Sequence, residues 1–508
     1  MSARIPEFIE HYGNVRKYRE GMSETRPKNL HSRKGRMRRP GEGKLFHDLS
    51  ALLRQLDLKD GMTVSFHHHL RNGDRVLPMV MAGIRQLGLK NITVAPSSIF
   101  PAHAMLVELM ADGTVTGIVT DYMSGPVAEA VSKGQLKHPA VMMSHGGRPR
   151  AIMEGDLHID VAFIAAPSSD HLGNLNGVNG PAACGALGYA AADAGYADLV
   201  VAVTDTLTEY PNCPIEIDQS LVDFILKVDS IGDPAGIVSG TTQITKDPIG
   251  LKIARDTMTM LAASGLVRDG LSFQTGAGGI SLAVAKELAD FMKAAGIKGS
   301  FASGGITAYL VKMLEDGLFS TLFDVQCFDL EAVRSYRENQ RHLPMSGSLY
   351  ANPHNAGCIA HQLDIVILGA TEMDTDFNVN VTTGSDGIIM GGSGGHSDTA
   401  AGAKLTVIVS KLVSARLPLI RDKVTTITTP GETVDVLVTD RGMAVNDRRG
   451  DLKAKFQEAG LPVMTMDELK ALGEKFTGIP QPLTTEERIV AVVEYRDGTV
   501  IDVVRQVK

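Results

Sequence analysis

The stretch Asp60-Gly-Met-Thr-Val-Ser-Phe66 has a second version later in the chain, Asp269-Gly-Leu-Ser-Phe-Gln-Thr275. In each copy an apolar strand pattern is followed by a turn rich in His or Gly, and then by an apolar helical pattern. The next strand patterns are Gly88-Leu-Lys-Asn-Ile-Thr-Val94 and Gly296-Ile-Lys-Gly-Ser-Phe301. Strands that alternate with helices predict a mostly parallel sheet covered by helices.

The correspondence between the two copies extends through most of the chain. Ile159-Asp-Val-Ala-Phe-Ile164 leads to Asn174-Leu-Asn176, and its counterpart Leu363-Asp-Ile-Val-Ile-Leu368 leads to Asn378-Val-Asn380. Matching residues lie between 204 positions (Asn174 and Asn378) and 209 positions (Asp60 and Asp269) apart. This regular spacing indicates duplication of a whole domain rather than a short repeat.

The duplication predicts an α/β fold of two related domains with mostly parallel sheets. We expect a leader at residues 1–45, a first domain at 46–235 and a second domain at 236–508, since 508 residues exceed one ordinary domain. Near the end, Arg488-Ile-Val-Ala-Val-Val-Glu-Tyr495 and the turn Asp497-Gly498 predict a hairpin that closes the second domain. Ligands of open α/β sheets bind beyond the carboxyl ends of the strands, so the site is expected in the cleft between the domains.

Composition limits the possible locations and bonds. No stretch approaches the roughly 20 apolar residues that span a bilayer, and the first residues lack the apolar core of a signal peptide. A cytoplasmic protein without membrane association is therefore expected. The cysteines are far apart and are expected to be small buried hydrophobes rather than disulfide or zinc ligands: Cys184, Cys213, Cys327 and Cys358.

Charge is distributed unevenly along the chain. Residues 1–45 carry 12 Lys and Arg against 5 Asp and Glu, although the whole chain has a net charge of −8. The basic run from Arg33 to Pro40 contains no aromatic residues and no helix-turn-helix pattern, which argues against binding of nucleic acid. An acidic protein partner and a merely solvated segment remain as alternatives.

Two Gly-rich turns are candidates for binding negative charge. Gly276, Gly278 and Gly279 lie between a strand and a helical pattern, where backbone N–H groups at a helix start attract anions. Ser281 stands where the dinucleotide fingerprint needs its third glycine, so an anion or oxyanion pocket is predicted, with a plain tight turn as the alternative. The second turn, Gly391-Gly-Ser-Gly-Gly-His-Ser-Asp398, supports the same interpretation.

A cluster of His and Arg residues favours carboxylate binding. In an extended Val64–Leu70 segment, side chains alternate, so His67 and His69 share a face and His68 points the other way. A plain surface loop remains an alternative. A metal site is another, but no carboxylate or further His stands at ligand spacing, and no metal is predicted. The predicted carboxylate-binding set comprises Ser65, His67, His69, Arg71, His145, Arg148 and Thr275. Glu372, just after a strand pattern, is a candidate nucleophile, with a plain loop carboxylate as the alternative.

From about residue 45 to the end, these motifs resemble the citrate lyase alpha subunit family, within the wider CoA-transferase superfamily. The motifs that carry the resemblance are Val64-Ser-Phe-His-His68, Ser144-His-Gly-Gly-Arg148, Ser272–Gly279, Phe377-Asn-Val-Asn-Val-Thr-Thr-Gly-Ser-Asp-Gly387, Gly391–Asp398 and Asp497–Lys508. The resemblance implies citrate:acetyl-acyl-carrier-protein transferase activity on an acyl thioester of a carrier protein or of CoA, without a tightly bound cofactor. It also implies a citryl-cleaving beta subunit and an acyl carrier gamma subunit as partners, and we expect an oligomer.

The resemblance also assigns roles to the glycines and to the second Gly-rich turn. Many CoA-transferases use a covalent Glu where this chain has Gly304 and Gly305, so no acyl-enzyme is expected. Citrate itself would attack the acetyl thioester, while Gly276, Gly278 and Gly279 stabilise the oxyanion. The predicted carrier-thioester set is Asn378, Asn380, Gly392, Gly394, Gly395 and Asp398. The alternatives are a CoA-transferase for another acid with Glu372 as nucleophile, and a ligand-sensing regulator.

Overall fold

The structure is a computed structural model that describes residues 5–17, 43–238 and 243–508. The basic run Arg33–Pro40 lies outside these residues, so the expectations for it stay predictions. The N-terminal segment that is described forms two short strands, Phe8–Ile9 and Gly13–Asn14. Its Ile5, Ile9 and Val15 pack against the C-terminal strands.

The first large sheet is built mainly from the first copy of the repeat. Its strands are parallel apart from one antiparallel pair at an edge. In spatial order the strands are Val500–Val507, Thr485–Glu494, Ala140–Met142, Val115–Thr120, Ile92–Pro96, Thr63–Phe66, Val161–Ala165, Leu199–Thr204, Phe224–Lys227 and Leu45–Phe46.

The second large sheet is built from the second copy. It is also parallel, except where Val436–Thr439 pairs with Gly442–Val445. In spatial order the strands are His342–Pro344, Phe319–Cys327, Gly299–Ile306, Ser272–Thr275, Ile365–Leu368, Leu405–Val409, Val436–Thr439, Gly442–Val445 and Val463–Met464.

The matching strands of the two copies lie in the same spatial order. The strand that opens each copy, Thr63–Phe66 or Ser272–Thr275, lies at the centre of its sheet. The second strand of each copy pairs on one side of it, and the strand at Val161–Ala165 or Ile365–Leu368 pairs on the other side. The structure therefore confirms the predicted α/β fold class and the domain duplication.

Helices cover the faces of both sheets. Helix Gly279–Ala295 ends at Gly296, whose φ of 70° gives the left-handed cap that favours glycine. Helix Pro248–Ser264 begins after Asp247, whose side chain accepts a hydrogen bond from the N–H of Gly250. The remaining helices are Leu49–Gln55, Val76–Gln86, Leu106–Ala111, Pro126–Ser132, Gly147–Glu154, Ala190–Tyr196, Ala308–Glu315, Leu330–Glu338, Gly347–Ala351, His396–Gly402, Gly450–Glu458 and Met466–Thr477.

Small sheets repeat in the two halves as well. One contains Ser168–Asp170, Leu175–Asn176 and Leu207–Thr208, and its counterpart contains Glu372–Asp374, Val379–Asn380 and Ile420–Arg421. A short hairpin of Val413–Ser414 and Leu417–Pro418 follows in the second half. Among the described residues, no helix is long and apolar enough to cross a membrane.

The predicted C-terminal hairpin is present, but it lies in the first sheet rather than the second. Strand Thr485–Glu494 pairs in parallel with Ala140–Met142 and antiparallel with Val500–Val507. The prediction placed the hairpin in the second domain because the chain reaches it there. Backbone pairing at a sheet edge needs only a matching apolar strand, whatever its distance along the chain. The other predicted domain limits stay predictions.

Candidate active site

A cavity of about 330 Å³ lies between the two halves, beyond the carboxyl ends of strands from both sheets. This is the position that the sequence predicted for the site. Its walls are formed by His68, Arg71, Ser98, Phe100, Tyr122, His145, Tyr189, Gln274, Thr275, Gly276, Ala277, Gly278, Gly305, Gln326, Phe328, Tyr350, Leu368, Gly369, Val381, Gly392, Ser393, Gly394, Gly395 and His396. Among the described residues that form these walls there is no Asp or Glu.

The first Gly-rich turn leaves space in the cavity. A Cβ built on Gly276 would meet nothing closer than the Ile367 carbonyl oxygen at 3.6 Å, and a Cβ on Gly278 would meet nothing closer than Ser281 Oγ at 3.9 Å. Protein packing therefore does not require glycine at these positions, and a side chain there would occupy room that a ligand could use. Gly279 starts helix Gly279–Ala295 just outside the wall, so the positive end of the helix lies beside the cavity.

The second Gly-rich turn packs closely against segments of both halves. A Cβ on Gly392 would lie 2.4 Å from the Asp121 carbonyl oxygen, and a Cβ on Gly395 would lie 2.1 Å from the Tyr350 hydroxyl. Gly394 has a φ of 49°, and its carbonyl oxygen accepts a 2.8 Å hydrogen bond from the His145 N–H. These three glycines line the cavity, as predicted for the carrier-thioester set. Close packing by itself already requires glycine at positions 392 and 395.

Arg71 presents an unpaired positive charge to the cavity. Its guanidinium lies 5.4 Å from the centre of the Phe100 ring and 4.9 Å from that of Phe328. Nη1 is buried and has no hydrogen-bond partner among the residues that the structure describes. Burial lowers the pKa of the Arg71 guanidinium, which stays charged because its ordinary value is far above neutrality. An unpaired buried guanidinium favours a carboxylate ligand.

The His segment alternates as predicted, but the opposite face reaches the cavity. His68 lines the cavity, while the rings of His67 and His69 stack on each other at 5.4 Å inside the first half. Burial lowers the pKa of His67 to about 3 and that of His69 well below its usual value, so both rings are neutral. Ser65 is also fully buried away from the cavity. Periodicity fixes which side chains share a face, but not which face meets the other half of the molecule.

His145 lines the cavity as predicted and forms a pair with Asp121. Its Nδ1 lies 2.9 Å from Asp121 Oδ2, and its ring lies 4.5 Å from that of Tyr189. Burial raises the pKa of the Asp121 carboxyl, and the hydrogen bond with His145 opposes that shift. The sequence analysis did not select Asp121. It follows strand Val115–Thr120, and the same strand-exit argument that selected Glu372 would have found it.

Arg148 does not reach the cavity. Its guanidinium makes two 2.9 Å hydrogen bonds to Asp193 and donates another, of 2.8 Å, to the carbonyl oxygen of Ala95. Burial alone would lower the pKa of Arg148, but Asp193 raises it. The predicted role in citrate binding is therefore not supported, because the charge is already neutralised inside the first half. Sequence alone could not separate it from Arg71, since Asp193 lies 45 residues further along the chain.

Glu372 and both asparagines of the carrier-thioester set lie outside the cavity. Asn378 donates to Asp374, and Asn380 donates to Glu372 and the Thr383 carbonyl oxygen. In the first copy Asn174 donates to Asp170 in the same way. The Asn-x-Asn pattern therefore closes a turn in each half, and its recurrence in the first copy could have revealed this structural role.

Asp398 also lies behind the cavity wall. Its carboxylate accepts hydrogen bonds of 2.9 Å from Ser144 Oγ and from the N–H of Gly146. Arg496 Nε, from the C-terminal hairpin, lies 3.4 Å away. Burial raises the pKa of the Asp398 carboxyl, and Arg496 opposes that shift. Asp398 joins the second Gly-rich turn to the loop that carries His145.

Of Gly304 and Gly305, which the resemblance aligns with a covalent Glu of other CoA-transferases, only Gly305 is among the described residues that line the cavity. Gly305 forms part of the wall, and a Cβ there would lie 2.3 Å from the Phe328 ring. Gly304 has a φ of 105° and packs behind Gln274. Gln274, which the sequence analysis did not select, donates a 2.7 Å hydrogen bond to the Tyr350 hydroxyl. These polar residues join distant segments, which no local pattern in the sequence could indicate.

His396 lines the cavity but is held by the second half. Its ring nitrogens lie 2.7 Å from Thr429 Oγ1 and 2.8 Å from the Gly369 carbonyl oxygen. Burial lowers the pKa of His396 to about 4, so the ring is neutral. Possible metal-binding groups among the described residues lie elsewhere: Asp324, Cys327 and His342, and His158, Asp160 and Asp198. The predicted absence of a metal stays a prediction.

Residues 42–507 match the family model described as citrate lyase, alpha subunit. The chain belongs to the citrate lyase alpha subunit family. It is 47% identical over 465 residues to the citrate lyase alpha chain of Klebsiella pneumoniae, covering 92% of both chains. It is 48% identical over 465 residues to that of Escherichia coli (strain K12), covering 92% of this chain and 91% of the relative. The family confirms the resemblance found in the sequence and the prediction of a transferase-type enzyme subunit.

Solved structures share the fold. A protein described as the alpha subunit of citrate lyase from Streptococcus mutans, crystallised in complex with citrate, is 46% identical, with a TM-score of 0.95 and 99% of each chain covered. A Pseudomonas malonate decarboxylase hetero-tetramer in complex with malonate gives a TM-score of 0.64 at 16% identity, covering 87% of this chain and 95% of that one. The second likeness concerns the fold alone.

Proposed function

We propose that this citrate lyase alpha subunit exchanges acetyl for citryl on the thioester of an acyl carrier prosthetic group or of CoA. The observation that carries the proposal is the unpaired Arg71 guanidinium in a cavity without carboxylates among its described walls. A tricarboxylate carries about three negative charges at neutral pH, which such a cavity attracts. The citrate complex of the Streptococcus mutans relative supports citrate as the acid.

Arg71 and His68 are the groups that we assign to the citrate carboxylates. Ser97 Oγ lies 2.6 Å from His68 Nδ1 and accepts a 3.1 Å hydrogen bond from the His68 N–H. Its hydroxyl hydrogen is therefore free to point at Nδ1, which leaves the ring proton on Nε2 as a donor. Burial lowers the pKa of His68 well below its usual value, so this donor is neutral.

The Gly276–Gly278 turn is the group that we assign to the thioester carbonyl. The turn has space for a ligand, and helix Gly279–Ala295 directs its N-terminal N–H groups toward it. Backbone donors that face a developing oxyanion stabilise the tetrahedral intermediate more than the ground state. Gly279 lies beyond the wall and contributes through the helix start.

The reaction then proceeds by direct attack of citrate. A citrate carboxylate oxygen bonds to the acetyl carbonyl carbon, the C–S bond breaks, and the carrier leaves as a thiolate. The thiolate attacks the citryl carbonyl of the mixed anhydride, the C–O bond to acetate breaks, and acetate leaves. No net proton transfer is needed, so the chain positions both substrates and stabilises the oxyanions.

The predicted setting of the reaction follows from the same family. A citryl-cleaving beta subunit would consume the citryl thioester, and an acyl carrier gamma subunit would deliver it. Location in the cytoplasm, an oligomeric assembly and the absence of nucleic acid, membrane and tightly bound cofactor also stay predictions. A covalent Glu372 route has weaker support, because Glu372 lies outside the cavity and its carboxylate is fully hydrogen bonded.

Thioester exchange tests the proposal directly. Purified protein should convert acetyl-CoA and citrate into citryl-CoA and acetate, even if slowly without the carrier. Arg71→Met should raise the KM for citrate by about 10- to 100-fold, because a charged hydrogen bond is lost. Arg75→Met, at an exposed position four residues further along the chain, is the matched control and should leave that KM unchanged. Exchange with acetate or succinate, but none with citrate, would overturn the assignment.

A further inference from the structure

The His145 ring is fixed in one orientation at the cavity wall. Its Nδ1 lies 2.9 Å from Asp121 Oδ2, and its ring packs on Tyr189 at 4.5 Å. Nε2 points away from Asp121, near Gly394, and has no hydrogen-bond partner among the residues that the structure describes. The side chain is 13% exposed, so Nε2 is open to a molecule in the cavity.

The carboxylate of Asp121 decides which ring nitrogen carries the proton. Asp121 is fully buried; burial raises the pKa of its carboxyl, while the hydrogen bond with His145 and the charges of His145 and Arg148 oppose that shift. An ionised carboxylate only accepts hydrogen bonds, so Nδ1 must donate to it. A ring that carries its proton on Nδ1 presents Nε2 as an acceptor. His68, whose Nδ1 faces the Ser97 hydroxyl, presents a donor at the same cavity.

The hydrogen-bonding chemistry of citrate matches this pair of nitrogens. Ionised carboxylates accept hydrogen bonds and cannot donate to an acceptor nitrogen. The central hydroxyl is the group in citrate that carries a hydrogen to donate. We propose that the Asp121–His145 pair binds the hydroxyl group of citrate and thereby selects hydroxy-tricarboxylates. The inference rests on the proposed function, because it concerns the same substrate in the same cavity.

Selectivity against tricarballylate follows from this contact. Tricarballylate has the carbon skeleton and the three carboxylates of citrate but lacks the hydroxyl. It would leave His145 Nε2 unpaired in a cavity from which it also displaces water. A site that is built to bind a substrate hydroxyl rejects the analogue without it more strongly than it rejects a change of size. We expect at least about tenfold tighter binding of citrate than of tricarballylate.

Asp121→Asn tests the role of the carboxylate without changing its shape. An amide N–H at this position would donate to Nδ1, move the ring proton to Nε2 and remove the acceptor. Dissociation constants for citrate and tricarballylate are measured by calorimetry on the full chain. Asp121→Asn should raise the dissociation constant for citrate by about tenfold. The dissociation constant for tricarballylate should change by less than about twofold, so the selectivity is lost. Asp74→Asn, in the buried Asp74–His103 pair outside the cavity, is the matched control and should preserve the selectivity.

His145→Phe is a second test variant, for use if Asp121→Asn folds poorly. It keeps an aromatic ring against Tyr189 but removes both nitrogens, and it should also abolish the preference for citrate. Equal weakening of citrate and tricarballylate binding in these variants would overturn the inference, because it would mean that a charged His145 ring binds a carboxylate. Equal affinity of the unaltered chain for both ligands would overturn it as well. Failure of the unaltered chain to bind citrate at all would instead count against the proposed function.

Discussion

At the scale of single residues, Glu372 illustrates how a buried carboxylate stabilises the fold. It is 1% exposed and accepts hydrogen bonds from Ser385 Oγ at 2.7 Å, the Thr425 N–H at 2.8 Å and Asn380 Nδ2 at 3.0 Å. Arg421 Nε lies 2.9 Å away. Burial would raise the pKa of the Glu372 carboxyl, but these hydrogen bonds and the Arg421 charge lower it. The charged form is therefore part of the folded structure.

We expect Glu372→Gln to lower stability rather than exchange activity. Loss of the charge should reduce the free energy of unfolding by about 2 kcal/mol at pH 7. Because the pKa is lowered in the folded chain, this stabilisation is present above the unfolded value of about 4.3 and is lost as pH falls through the folded value. The difference in urea midpoint between the Glu372→Gln variant and the unaltered chain should therefore become smaller at acidic pH. Citryl-CoA formation should stay within a few-fold.

Asp376→Asn is the matched control for this prediction. Asp376 lies in the same turn, but its side chain is 62% exposed, so its removal should change stability little at any pH. A Glu372→Gln variant that is as stable as the control but inactive would contradict the structural role and favour a catalytic one.

At the scale of elements, the C-terminal hairpin connects the two halves. Its strands extend the first sheet, while Arg496 in its turn region reaches the second half. Arg496 donates a 2.8 Å hydrogen bond to the Ala351 carbonyl oxygen and lies 3.4 Å from Asp398. Asp398 in turn holds the loop of Ser144. The hairpin thus supports the cavity wall that carries His145 without touching the cavity itself.

We expect Arg496→Met to destabilise the chain by about 3 kcal/mol, because it leaves the buried Asp398 without its cation. The urea midpoint measures the change. The double variant Arg496→Met with Asp398→Asn should lose less free energy of unfolding than the sum of the losses of the two single variants. Arg505→Met, on the far arm of the hairpin and partly exposed, should cost less than about 1 kcal/mol. Strictly additive losses would show that Arg496 and Asp398 act independently.

At the scale of the whole molecule, the cavity exists because two halves face each other. The first half contributes Arg71, His68 and His145, and the second contributes both Gly-rich turns. No carboxylate lines the cavity among the described residues, so these walls offer no carboxylate nucleophile. A reaction without a nucleophile from the chain requires citrate and the thioester to be bound together.

We therefore expect sequential kinetics. Double-reciprocal plots with acetyl-CoA and citrate varied should intersect, because both substrates occupy the cavity before either product leaves. Incubation with acetyl-CoA alone, followed by hydroxylamine, should trap no modified carboxyl group. Parallel lines, or a CoA thioester found on Glu372 by mass spectrometry, would contradict direct attack and support a covalent route.

The sequence by itself determined the duplicated fold. Strand and helix patterns repeat at a nearly constant spacing, and local periodicity decides secondary structure wherever one face must be buried. It also indicated the cleft, both Gly-rich turns, Arg71 and His145, because strand-exit positions of parallel strands converge at one edge.

Only the tertiary structure decided which charges are free and which face of a strand meets the other half. Arg71 and Arg148 look alike in the sequence, but Asp193 neutralises Arg148 inside the first half. His68 rather than His67 reaches the cavity, since alternation does not say which side the second half covers. The hairpin joins the first sheet because edge pairing depends on contact in space. Pairing, burial and edge contacts are long-range interactions, and neighbouring residues along the chain do not encode them.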